Sequence, residues 1–207
     1  MLHLACEPDW RLGQVCGPCA RLSWRRSTLE LLMDLATLQS TAPATETVFA
    51  FYDELAAADV NFMLGRWRGE GLNTGHPLDG VLERFGWFGK AFVDPERVHP
   101  LLFKKRGGIC ALNPGLMPMN LALRCPWLNN DVVAAMFRVL QPLMATRAPR
   151  ARLRTVEFRG QCTSAMVYDQ LAIIDVFRKV DDKTLLGVMD MKGMEQAFFF
   201  VLRRDQS

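Results

Sequence analysis

The 207-residue sequence has no apolar run near the roughly 20 residues that a helix needs to cross a bilayer, so integral membrane insertion is not expected. The apolar run from Ala197 to Leu202 is strand-sized. Histidine is scarce: His3, His76 and His99 are the three, and no H-x-x-x-H pair exists to hold a metal. The six cysteines have neither the density nor the spacing of a disulfide scaffold. No uninterrupted apolar signal core is found, because Glu30 and Asp34 break the only leucine-rich stretch near the start. Reduced thiols and a cytoplasmic location are therefore expected. A net charge of +3 is too small to suggest nucleic acid as a partner. The densest basic cluster, Arg147, Arg150, Arg152 and Arg154, reads as a solvated approach to a strand. No glycine-rich phosphate loop precedes a helix, and Ser164 has no nucleophile motif around it. Nothing calls for a cofactor.

What is present suits one domain with a sizeable core: half the residues are hydrophobic and 23% are charged. Residues 1–44 are expected to be a peripheral tail, with Met33 an alternative first residue. Cys16-Gly17-Pro18-Cys19 lies in that tail without the strand–helix context that a redox motif needs, so it reads as a chance C-x-x-C.

The stretch Gly65-Arg66-Trp67-Arg68-Gly69 organises the remainder, a single domain over residues 45–204. Glycines flanking a Trp at alternate positions suit a strand that bends and packs one large ring at the closed end of a barrel. Before it, Val48, Phe51, Tyr52 and Leu55 mark a helix over 47–58, capped by Thr45 or Thr47. The strand itself is expected over Met63–Gly71. Leu72 to Pro77 is turn chemistry, and Leu78 to Phe88 has helical spacing. Val98–Lys105 and Ile109–Asn113 form a hairpin across Arg106-Gly107-Gly108. A loop leads to a helix over Asn130–Met144, with Val133, Met136, Phe137 and Leu140 on one face and Pro142 bending or ending it. Five more strands follow: 152–159, 162–168, 171–180, 184–191 and 197–204. The expected fold is mainly β with helices: about eight antiparallel strands in an up-and-down barrel with helical lids.

The motif Gly65-x-Trp67-x-Gly69, followed by Thr74-Gly75-His76-Pro77-Leu78-Asp79-Gly80, resembles the bacterial GXWXG domain. The run from Met166-Val167-Tyr168-Asp169 through Leu186-Gly187-x-Met189-Asp190 resembles the domain of unknown function usually paired with it. The glycine–tryptophan strand is also similar to that of calycin-like barrels: lipocalins, fatty-acid-binding proteins and nitrobindins. In the lipocalin pattern a late Arg packs over the first-strand Trp, which implies that role for Arg203 or Arg204. Nitrobindins hold haem through a late histidine, and none follows His99 here, so haem binding is not carried over.

The expected function is binding of a hydrophobic small molecule, fatty acid or lipid-like, inside the barrel, and the chain is read as a binder rather than an enzyme. The ligand-binding candidates are His76, Trp87, Tyr168, Asp175, Arg178 and Met189. His76, Asp175 and Arg178 would orient a polar head group; Gly65, Trp67, Gly69 and an arginine would hold the closed end. His76 could equally cap a turn. Asp175 alternates with Ile173 and Phe177, and Asp190 with Met189 and Met191, so either acid faces solvent or serves as a polar handle within a cavity. The eight methionines from Met117 to Met194 suit an adaptable pocket or ordinary core packing. Two rival functions are an acid–base barrel enzyme using His76 with an Asp, and an interaction module with a filled barrel. The sequence is compatible with a homodimer without specifying one.

Overall fold

Phe198-Phe199-Phe200-Val201-Leu202 is apolar at five successive positions, which a strand tolerates only where both of its faces are covered. The computed structural model describes residues 34–117 and 125–206, and these belong to one compact unit, Met33–Ser207. Its strands are β1 (Ala56–Ala57), β2 (Gly65–Leu72), β3 (Trp87–Asp94), β4 (Arg97–Lys105), β5 (Gly108–Ala111), β6 (Ala151–Phe158), β7 (Gln161–Tyr168), β8 (Ile173–Asp181), β9 (Thr184–Met191) and β10 (Phe198–Arg204). The helices are α1 (Leu35–Thr41), α2 (Thr45–Glu54), α3 (Val60–Met63), α4 (Val81–Arg84) and α5 (Asp131–Met144).

Eight strands close into a ring in chain order, β2-β3-β4-β6-β7-β8-β9-β10, with β10 pairing back onto β2. The seam runs from Phe199 opposite Leu72 to Arg204 opposite Trp67. All pairings are antiparallel, and β1 and β5 hang on β8 and β4 outside the ring. An eight-stranded ring is just wide enough to be filled by side chains or to hold one small ligand.

The two faces of β10 explain its composition. Phe198, Phe200 and Leu202 join the interior core with Trp67, Trp87 and Phe177. Phe199 and Val201 face outward into a second cluster with Leu38, Val48 and Tyr52. Helices α1 and α2 therefore flank the wall of the barrel. Burying an aromatic or aliphatic side chain contributes about 1.5–3 kcal/mol, so this second layer stabilises the wall appreciably.

At the closed end, Trp67 is fully buried. Its Nε1–H donates to the Met63 carbonyl of α3 at 2.7 Å. The Arg204 guanidinium lies 4.2 Å from the ring centroid and donates to Leu64 O at 2.9 Å and Phe62 O at 2.7 Å. Arg204, not Arg203, thus holds the tryptophan; Arg203 is exposed and donates to Gln39 Oε1. The motif glycines make room for large side chains. A Cβ on Gly65 would stand 3.3 Å from Arg204 Nη1, and one on Gly69 would stand 2.1 Å from the Trp87 ring.

Several sequence expectations need correction. Leu78–Phe88 is not one helix: only Val81–Arg84 is helical, and β3 begins at Trp87. The ring keeps eight strands because β3, unanticipated, takes the place that the hairpin partner β5 was expected to fill. Helix α2 starts at Thr45 behind Ala44, with no side-chain cap. The fold also begins before residue 45, since Leu35 and Leu38 of α1 are buried. The expectations for residues 1–33, including the Cys16–Cys19 spacing, lie outside the described residues.

Candidate functional site

The barrel interior contains a charged pair. Lys90 is 3% exposed and Asp175 is 1% exposed, with Lys90 Nζ 2.8 Å from Asp175 Oδ2. Nζ also donates to Pro100 O at 3.2 Å. The rings of Phe200, Trp87 and Tyr168 surround it, with centroids at 4.9, 5.5 and 5.8 Å. Such a pair brings little net stability, because desolvating both charges offsets their attraction, so a buried pair lining a cavity invites a functional reading.

Lys90 reaches the interior through an irregularity. Trp87 and Lys90 are three residues apart yet both line the same cavity, which a regular strand of period two forbids. The β3–β4 register shifts on both sides of Gly89. Gly89 has φ 143°, and a Cβ there would come within 2.0 Å of Trp67 O. Only glycine satisfies both conditions.

Tyr168 Oη lies 3.5 Å from Asp175 Oδ2. Burial, reinforced by the Asp175 charge, holds its phenol well above the usual tyrosine range, so it stays protonated. Burial also raises the Asp175 carboxyl, while Lys90 opposes that rise. Among the described residues, two polar atoms here have no hydrogen-bond partner: Asp175 Oδ1 and Trp87 Nε1. With Met189, Phe198 and Phe200 these groups line a cavity of about 50 Å³. That is room for a few atoms and not for a lipid.

A larger pocket of about 420 Å³ adjoins it. Its walls come from α4 (Val81, Leu82), β4 (Phe103) and α5 (Val133, Phe137, Met144). Leu78, Leu82 and Met117 belong to the walls of both spaces. Asn130 caps α5, accepting from the Val133 N–H at 3.0 Å. The helix runs two residues past Pro142 before ending. Its far side is also apolar, with Val132, Val139 and Leu143 each more than three-quarters exposed.

The candidate residues divide accordingly. Trp87, Tyr168, Asp175 and Met189 share the interior cavity. Arg178 does not: it emerges on the other face of β8, donates to Leu55 O and Phe158 O, and lies over the Tyr52 ring at 5.2 Å. His76 does not line the cavity either. Its Nδ1 accepts the Leu78 N–H at 3.1 Å, its backbone N–H donates to Asp79 Oδ2, and its ring lies 5.3 Å from that of Phe198. Asp190 is exposed, so it faces solvent. Lys90 was not anticipated. The available signal was a lysine inside an aromatic–glycine run, Trp87-Phe88-Gly89-Lys90-Ala91-Phe92, where the Gly allows a bulge.

His76 yields a pH test. Burial lowers its pKa below the usual 6.5, opposed by the Asp79 charge, and burial lowers His99 as well. A depressed histidine means that the unfolded chain takes up the proton first as pH falls. This stabilising contribution is present above about 6.5 and is lost as pH drops toward the folded value. Urea unfolding between about pH 7.5 and 5 should show stability declining, and His76→Asn, which keeps an acceptor for Leu78, should flatten that decline. An unchanged slope would remove His76 as its source.

Fold and site together define a closed eight-stranded antiparallel barrel with a buried Lys–Asp–Tyr cluster beneath an apolar side pocket. The family profile described as "GXWXG protein" matches residues 50–108, and that described as "Domain of unknown function (DUF4334)" matches residues 149–204. A solved structure described only as a protein from Thermomonospora curvata is 34% identical, with 83% of this chain and 96% of that one covered and a TM-score of 0.60. The chain belongs to the GXWXG family, in its pairing with DUF4334. No curated protein matches it. Among the described residues no helix is long and apolar enough to cross a membrane, and no group of three or more His, Cys, Asp or Glu could hold a metal ion.

Proposed function

We propose that the protein binds a hydrophobic, lipid-like small molecule, its apolar body in the pocket beneath α5 and its polar end directed at Lys90, Asp175 and Tyr168. The observation that carries this reading is the apolar pocket of about 420 Å³, which shares Leu78, Leu82 and Met117 with the charged cavity. Ligand sites typically occupy ~300–1,000 Å³ and combine apolar walls with a few convergent polar groups. The ligand body sits beside the ring, because the cavity at Lys90 and Asp175 has a volume of about 50 Å³. The calycin-like resemblance of the first strand supports the same reading. An acid–base enzyme using His76 with Asp175 is less well supported, since His76 is engaged in its own turn and does not line the cavity.

A neutral, environment-sensitive naphthylamine dye tests the pocket. It should bind native protein saturably at one site, and Val133→Trp, which fills the pocket from α5, should weaken binding at least ~10-fold. No saturable binding, or binding indifferent to Val133→Trp, would count against this site. Native mass spectrometry of protein purified without detergent should show a co-purifying small molecule.

A further inference from the structure

Building on that pocket reading, we infer that the polar end of the ligand is an uncharged hydroxyl, as in a long-chain alcohol, and not the carboxylate of a fatty acid. Three observations carry this. First, the site is already neutralised: the Lys90 ammonium is engaged by Asp175 at 2.8 Å and by Pro100 O at 3.2 Å. A ligand carboxylate would bring a second negative charge beside Asp175 with no free cation among the described residues lining the cavity to meet it, and a ligand ammonium would face Lys90. Like charges in a buried site are strongly disfavoured.

Second, two buried polar atoms lack partners, and they are complementary. Trp87 Nε1–H can only donate and the Asp175 Oδ1 carboxylate oxygen can only accept. Both residues line the same small cavity and both flank Lys90, with Nζ 5.5 Å from the Trp87 ring and 2.8 Å from Asp175 Oδ2. One hydroxyl oxygen accepts and donates at once, which a carboxylate, an ether or a bare alkyl end does not. Leaving such atoms unpaired is costly, so a group that satisfies both gains selectivity over one that satisfies neither. Third, about 50 Å³ admits a hydroxymethyl group, while the remaining chain must pass Leu78, Leu82 and Met117 to reach the larger pocket.

The test displaces the bound naphthylamine dye with decanol, decanoate and decane at about pH 8, where a carboxylic acid is ionised. Decanol should displace at least ~10-fold more tightly than either of the others. Trp87→Phe, which keeps a ring but removes the donor, should weaken decanol several-fold and leave decane unchanged. Asp175→Asn should reverse the preference toward decanoate, because Lys90 then lacks its counter-ion. If that variant fails to fold, the native series and Trp87→Phe still decide. Decanoate matching or exceeding decanol in the native protein overturns the inference. Decanol binding no tighter than decane also overturns it, and assigns the two atoms to water. A dye that binds with none of the three displacing it removes the hydroxyl head while leaving the pocket. A dye that does not bind at all removes the pocket reading itself.

Discussion

Lys90→Met should destabilise the protein by about 3–5 kcal/mol, as expected when one partner of a buried ion pair is removed and the other charge is left without compensation. Asp175 is 1% exposed and would keep only the Tyr168 hydroxyl at 3.5 Å. The double variant Lys90→Met/Asp175→Leu should recover most of that loss, because an apolar replacement of both charges carries no desolvation penalty. Urea denaturation of both variants measures the difference. The cost should also depend on pH. The folded Asp175 carboxyl is already raised by burial, and losing Lys90 raises it further. The folded state then holds a proton that the unfolded state releases, so the single variant is weakest at high pH and regains stability as pH falls through the folded pKa. A Lys90→Met protein as stable as the native one at about pH 8 would mean that the two charges are not coupled in solution.

Trp67→Ala should cost about 3–5 kcal/mol, typical of deleting a buried indole. In a chain of this size that corresponds to a fall in Tm of roughly 6–20 °C. The loss has three sources. The cavity removes contacts with a ring that is 0% exposed. The Met63 carbonyl loses its donor at 2.7 Å. Arg204 loses the aromatic face 4.2 Å away, a contact worth about 1–2 kcal/mol when desolvated. Trp67→Phe separates these terms, keeping a ring beneath Arg204 while orphaning the Met63 carbonyl, and should cost less than half as much. Thermal unfolding of both variants gives the comparison. A Trp67→Ala protein melting within ~2 °C of native would show that this end of the barrel is held by other contacts.

The strands after residue 150 were readable because short turns separate runs that alternate or are wholly apolar, and the ring uses them in chain order. Trp67 was readable for a different reason, while its late arginine was legible only through the resemblance to the lipocalin pattern, which left Arg203 and Arg204 both open. The glycines beside a large ring are demanded by space, and such demands leave a fixed spacing in sequence. Strand β3 was hidden because Leu78, Leu82 and Phe85 are three or four residues apart, and that spacing continues smoothly into Trp87 and Phe88. The chain breaks the helix at Gly86, which has φ 82°, and starts a strand whose first residues are buried on both faces. The same event concealed Lys90. A period-two count puts it opposite Trp87, and only the bulge at Gly89 turns it inward. Asp175 could be marked from its apolar neighbours, but its partner could not be named because the pairing spans strands far apart in sequence. His76 drew notice as a lone histidine in a turn, and the turn is what it serves.

The seam between β2 and β10 joins the earliest and the latest strands of the ring, pairing Gly71 with Phe200 and Trp67 with Arg204. During synthesis the wall can therefore grow strand by strand in chain order, but it cannot shut until its final strand has left the ribosome. Until then β2 and β9 are open edges with unpaired backbone groups, and the aromatic face awaiting β10 is exposed. Contacts so distant in sequence also slow the search for the native arrangement. The chain's exposure to aggregation thus extends through the interval before the last strand docks, the interval in which solvent conditions or chaperones act on the open wall.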